Sequence, residues 1–218
     1  MIVDSMTHEE VYQELERDRA SISRWWGYKL EAQRRRAMKC QQFPLKLSFD
    51  YTSTRKNKYI FMTWIFDKRM RAIMTGIAAL RHTSEGWSVY TNWLGHQRLI
   101  CPMVILPHVF KRYAERLNIQ KSGVELIRHY FTNNSHGQDS HNQKVVGKSV
   151  RHNGEEHIAY CVTDGVLLGQ MRGEMFVART FITYDMCSGL QQREFESCRK
   201  QVLPDVELHE RAKAYYNR

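Results

Sequence analysis

The sequence predicts an α+β protein, and three observations carry that expectation. Apolar residues recur at helical spacing over residues 7–40 and 107–131, whereas over much of 45–105 and 144–184 they alternate with polar ones. Short polar turns separate the alternating runs, and short turns join antiparallel neighbours. The expected chain is therefore a long N-terminal helix, a mainly antiparallel sheet, a helix pair followed by a four-stranded antiparallel sheet, and a helical C-terminus. Its parts divide as 1–105, a helix plus β-meander, and 106–218, which holds the helix pair, the four strands and the C-terminal helices, in two halves or one continuous domain.

The first helix opens on a capping box, because Thr7 can accept from the N–H of Glu10 while the Glu10 side chain reaches back. Val11, Leu15, Ile22, Trp25, Trp26 and Leu30 then follow at helical spacing, with Ser21 and Ser23 weakening the middle. Arg34, Arg35, Arg36 and Lys39 crowd the end before Pro44. Cations there suit the helix dipole, and beside Trp25 and Trp26 they also fit a track for a nucleic-acid backbone. From Leu45 the period becomes two: Leu45, Leu47, Phe49 and Tyr51 alternate with Lys46, Ser48 and Asp50. Further strands are expected at Lys58 to Phe66, Arg71 to Leu80, Gly86 to Thr91 and Arg98 to Ile105, between turns at TRKN, DKR, HTSEG and NWLGHQ. The aromatics of this meander, Tyr51, Tyr59, Trp64, Trp87, Tyr90 and Trp93, are read first as packing residues and second as an RNA-stacking platform.

The most informative stretch is VILPHVFKRYAERL, Val104 to Leu117. Pro107 suits a first helical position, where its missing N–H is not needed. Leu106, Val109, Phe110, Tyr113 and Leu117 gather on a core face. Opposite them lie His108, Lys111, Arg112, Glu115 and Arg116, with His108, Arg112 and Arg116 at successive i, i+4 steps. Two readings fit that arc: a solvated basic face, or a phosphate-handling face in which an imidazole passes a proton and arginine forks grip a phosphate.

Ser122 and Glu125 form a second expected capping box, opening a helix that ends near Tyr130 or Phe131. NNSHGQDSHNQ reads as a mobile loop. His136 and His141 in it, with His152 and His157 beyond, lack the spacing of a zinc site, so no metal is expected. Strands follow around Lys144 to Val150, His157 to Thr163 and Val166 to Met171, with Asp164-Gly165 as the hairpin turn. The last, Met175 to Tyr184, alternates so that Phe176, Ala178, Thr180, Ile182 and Tyr184 share one face, and Met175, Val177, Arg179, Phe181 and Thr183 the other. Both faces are largely apolar, as in a central strand, so Arg179 is expected to be buried against an acidic partner or an anionic ligand. Gln191 to Arg218 reads as two helices broken at Pro204.

A chain of 218 residues can bury a sizeable core, and its formal charge of +10 favours acidic partners, nucleic acid ahead of a membrane surface. Five cysteines, Cys40, Cys101, Cys161, Cys187 and Cys198, contain no CxxC pair and are read as reduced thiols. MIVDSMTHEE carries no basic region followed by an apolar run, and eighteen consecutive apolar residues occur nowhere, so a cytoplasmic protein without a membrane partner is expected.

PHVFKRYAER opening a helix pair, then a polar loop, HIAYCVTDGVLLGQM and VARTFIT, resembles the barnase, EndoU, colicin and RelE group of ribonucleases, particularly toxin-like members with an H-x3-R-x3-R helix and a Thr-containing last strand. The resemblance covers about residues 107–186. It implies a metal-independent endoribonuclease without cofactor, with His108 as general acid or base, Arg112 and Arg116 as phosphate binders, and Arg179 and Thr180 lining the same cleft. Independently of the resemblance, the +10 charge and the basic clusters lead us to expect that Lys111, Arg34, Arg35 and Arg36 bind nucleic acid, RNA favoured. A protein inhibitor is a further partner that such a toxin-like domain admits. The reaction would be attack of an RNA 2′-hydroxyl on its own phosphate, which needs a second proton-transfer group. Glu115, Tyr160 and His157 are the candidates. The competing class is a non-catalytic nucleic-acid-binding or protein-interaction domain of the same architecture.

Overall fold

A computed structural model describes residues 1–70, 73–91, 102–134, 148–152, 155–187, 193 and 195. The chain is α+β, and it divides into one compact unit that covers Met1–Leu80 and a second that begins at Arg81. That division falls earlier than the 105/106 point drawn from sequence, inside a strand.

The first unit holds α1 (His8–Ala32), α2 (Arg34–Lys39), β1 (Leu45–Thr52), β2 (Lys58–Ile65) and the greater part of β3 (Ile73–Thr83). The Thr7 and Glu10 capping box forms in full. The single helix expected to Cys40 is two, because the Gln33 N–H tightens onto Leu30 O at 3.0 Å and ends α1. β1, β2 and β3 are antiparallel in sequence order, from Leu45↔Ile65 to Thr52↔Lys58 and from Lys58↔Leu80 to Ile65↔Ile73. β2 lies between two neighbours and is buried from Tyr59 to Ile65. Val11, Leu15 and Ile22 supply the buried stripe of α1. Trp25 and Trp26 are half-buried against the strands: Trp26 stacks on Phe61 at 5.2 Å, and Trp25 meets Tyr51 at 4.6 Å. These rings pack against one another, and for Tyr51 that is the first of the two sequence readings.

A buried carboxylate anchors α1 in this unit. Glu14 receives Arg55 Nε at 2.8 Å and Nη2 at 2.6 Å, Arg17 Nη1 at 3.3 Å, Asn57 Nδ2 at 3.3 Å and the Met1 amine. Asp18, one turn on, accepts from Asn57 Nδ2 at 2.8 Å and Tyr59 OH at 2.6 Å. The Arg55 fork holds the Glu14 carboxyl well below the usual carboxylate range, against the opposing effect of burial.

The second unit continues through β4 (Gly86–Thr91), β5 (Met103–Ile105), α3 (Pro107–Arg116), α4 (Gly123–Asn133), β6 (Lys148–His152), β7 (Glu155–Val162), β8 (Gly165–Arg172) and β9 (Met175–Ile182). Its strands run in the order β4-β5-β9-β8-β7-β6, with β5 and β9 as the parallel pair among antiparallel ones. β3 reaches Thr83, so the HTSEG turn shrinks to Ser84 and Glu85. α4 runs past Phe131 to Asn133, and Ser122 caps it without a side-chain hydrogen bond. Glu125 turns instead toward Arg128 Nε, 3.4 Å away.

β9 corrects the largest sequence expectation. Leu168 pairs with Thr180 but Gly169 pairs with Ala178, so Arg179 is an extra residue, a β-bulge. A one-residue insertion inverts the alternation beyond it. Phe176 and Ala178 therefore share a face with Phe181, and Val177 shares one with Thr180 and Ile182, unlike the continuous period of two read from sequence. Arg179 is exposed at the bulge and is not the buried arginine expected.

The bulge also reconciles two spacings. Phe181 covers Gly165 and Phe176 covers Gly169: a Cβ on Gly165 would lie 2.7 Å from Phe181 Cζ, and one on Gly169 2.8 Å from Phe176 Cε2. Four steps on β8 thus match five on β9. Gly165 is the first strand residue of β8 and pairs with Val162, so the hairpin turn is Thr163-Asp164, one residue before the expected Asp164-Gly165. Glycine serves there as a seat for an aromatic ring.

Outside the described residues lie Cys101, Cys198, Arg98, His136, His141 and most of the tail expected to be helical; Arg193 and Phe195 are helical, and Phe195 is buried with Cys161, Val166 and Cys187. Cys40, Cys161 and Cys187 carry free thiols. Among the described residues no helix is long and apolar enough to cross a membrane.

Candidate functional site

The arc singled out in the sequence belongs to α3, which β5 and β9 hold in place. Pro107 occupies the first turn after Leu106, whose N–H bonds Ala178 O at 3.1 Å. Val109, Phe110 and Tyr113 are buried, and the Tyr113 ring meets Phe181 edge-on at 5.1 Å. Helical geometry then decides the exposure of the opposite side. Steps of four residues advance about 40° each, so the His108, Arg112, Arg116 stripe winds toward the core and brings Arg116 within about 20° of Val109. His108, Lys111 and Glu115 are exposed, and Arg112 and Arg116 are half-buried. Arg116 Nη1 is buried with no hydrogen-bond partner among the described residues. The solvent-facing arc is therefore Lys111, Glu115, His108 and Arg112.

Within that arc Arg112 is the hub. Its Nε donates to His108 Nε2 at 3.2 Å and its Nη1 to Glu115 Oε2 at 2.9 Å. A guanidinium thus sits between an imidazole and a carboxylate, all at the surface.

The last strand does not join them as expected. Phe181 faces α3, and neighbouring strand residues point to opposite faces, so Thr180 stands on the other side with Val166, Leu168 and Ile182. Tyr160, half-buried, stacks on Phe176 with centroids 6.2 Å apart. The side chain of His157 lies outside the described residues. Arg34, Arg35 and Arg36 are exposed on α2 in the first unit, with Arg34 Nη1 3.0 Å from Glu31 Oε1.

Two groupings escaped sequence reasoning. Tyr113 OH donates to Asp164 Oδ2 at 2.7 Å, and Asn134 bridges them, donating to Asp164 Oδ2 at 3.0 Å while its Oδ1 accepts the Asp164 N–H at 2.9 Å. This ties α3, the end of α4 and the β7–β8 turn together, and burial, with Asp164 as acceptor, pushes the Tyr113 hydroxyl above the usual tyrosine range. The second is on α4, where His129 Nδ1 lies 3.3 Å from Lys121 Nζ and Nε2 lies 3.0 Å from Asn133 Nδ2. Its signal in the sequence was present: Lys121, Glu125, His129 and Asn133 are spaced by four. Among the described residues no group of three or more His, Cys, Asp or Glu side chains is placed to hold a metal ion.

No family model, curated protein or solved structure matches this chain.

Proposed function

We propose that this protein binds nucleic acid, RNA in preference, and that the solvent-facing arc of α3 contacts the phosphate backbone. The observation that carries the reading is one helix arc on which Lys111 and His108 are exposed beside the half-buried Arg112, in a chain of formal charge +10. Lysine offers a point charge and arginine a planar fork, and each phosphate they neutralise releases a counterion. Arg34, Arg35 and Arg36, exposed on α2, are a second basic element.

Fluorescence anisotropy with a short single-stranded RNA and a DNA duplex, over rising salt, tests this. Affinity is expected to fall steeply with salt, and Lys111→Ala to lower the log–log slope by about one. Failure to bind either polyanion at low salt overturns the reading.

One contact favours a second reading, metal-independent RNA cleavage of the kind the ribonuclease resemblance implies. Arg112 joins His108 to Glu115, so two proton-transfer groups flank a phosphate-binding cation. Of the candidates for the second group, Glu115 shares Arg112 with His108. The 2′-hydroxyl would lose its proton to one of them while the other protonates the leaving oxygen. Chelator-treated wild-type protein should then cleave RNA and His108→Ala should not. Cleavage by His108→Ala at the wild-type rate would remove that residue from the chemistry.

A further inference from the structure

His129 stands apart from the α3 arc, half-buried on α4, while Lys121 and Asn133 beside it are exposed. A lysine ammonium only donates, so Nδ1 of the ring is the acceptor for Lys121 Nζ at 3.3 Å, and the proton of the neutral imidazole sits on Nε2. Nε2–H then needs an acceptor, which the Asn133 amide supplies through Oδ1 when turned end over end. In that tautomer the ring is uncharged and its Nδ1 lone pair is taken up by the Lys121 ammonium.

The charged and titratable groups around it come from several elements. Lys121 precedes α4; Glu125, one turn earlier on α4, is paired with Arg128. Tyr113 of α3 lies with its ring 6.3 Å from the imidazole and its hydroxyl committed to Asp164 of the β7–β8 turn. Burial and the Lys121 charge hold His129 below the ordinary histidine range, and Asp164 opposes them.

We propose that Lys121 and His129 form a proton-coupled site for a phosphodiester oxyanion, which enters between Nζ and Nδ1. The balance is simple: one solvent proton goes onto Nδ1, which becomes a donor to one anion oxygen while Lys121 donates to the other. Two cations that would repel each other then share one anion, so the bound anion removes the reason for an uncharged ring. Linkage makes the effect reciprocal: the anion raises the pH at which His129 titrates, and affinity rises as pH falls through the histidine range. This deepens the polyanion reading and rests on it for the choice of a phosphodiester.

The test has two arms. In the first, the His129 ring resonances are followed by NMR across about pH 5 to 8, in dimethyl phosphate or in chloride at equal ionic strength. Dimethyl phosphate is expected to move the wild-type midpoint upward and to leave that of Lys121→Met unmoved. A wild-type midpoint equal in the two salts overturns the proposal. In the second arm, a short RNA is expected to bind about fivefold or more tighter at about pH 5.5 than at about pH 7.5, and His129→Gln to reduce that difference. An unchanged pH dependence in His129→Gln also overturns it. If α3 variants leave RNA binding intact while dimethyl phosphate still shifts His129, this site stands and the α3 reading falls; if dimethyl phosphate shifts nothing while α3 variants lose binding, the reverse holds.

Discussion

Gly169→Ala is expected to destabilise the second unit by about 3 kcal/mol or more, a large loss for one methyl group. A Cβ at that position would stand 2.1 Å from Val177 O and 2.8 Å from Val177 C, as well as touching the Phe176 ring. The ring can swing aside, but the carbonyl belongs to the strand that β8 pairs with, so relief requires opening the ladder. Gly165→Ala meets the same obstacle in Ile182 O at 2.2 Å. Gly27→Ala in α1 is the contrasting case, with nothing within 4 Å of the added atom and a helical site that favours alanine by about 1 kcal/mol. Urea unfolding, with hydrogen exchange of the β8 and β9 amides as the local probe, separates the two outcomes. A wild-type midpoint for Gly169→Ala would show that β9 is placed differently.

Glu14→Gln is expected to destabilise the first unit by about 3 kcal/mol, since the buried carboxylate accepts from two arginines and Asn57. Glutamine keeps the shape but loses the charge, and its amide presents a donor to donors. The sign of the pH dependence follows from the depressed folded value. Unfolded, Glu14 titrates near its ordinary 4.5; folded, it holds its charge to lower pH. Its contribution is complete above the ordinary value and is lost as pH falls through the window below it. Wild type should therefore lose stability below about pH 4.5 more steeply than Glu14→Gln, and the gap between them should narrow. A constant gap down to about pH 3 would contradict the assigned role of the charge.

Neither the carboxylate network nor the glycine seats were legible in the sequence, although most elements were. Capping at Thr7, Pro107 at the head of α3 and the alternating runs each depend on residues within a few positions of one another, and all led to the observed elements. Glu14 and Arg55 are 41 residues apart, and the chain around them carries no local sign that they meet. Likewise, Asp164-Gly165 is a familiar turn pair, but the glycine is needed for the ring of Phe181, sixteen positions away.

The candidate site divides the same way. A basic arc on α3 follows from helical periodicity alone, since core and solvent faces are separated by about 100° per residue. Its composition was only partly legible: the drift of i, i+4 steps carries Arg116 toward the core and leaves Lys111, Glu115, His108 and Arg112 outside. Arg179 and Thr180 were placed by a period of two that one bulged residue interrupts, which puts Arg179 at the surface and Thr180 on the face away from α3. By itself the sequence determined the α+β class, the order of most described elements and the net charge, because propensity, periodicity and net charge are local or additive. Only the tertiary structure decided register, bulge and burial, since each depends on which distant strand or helix supplies the other half of the contact.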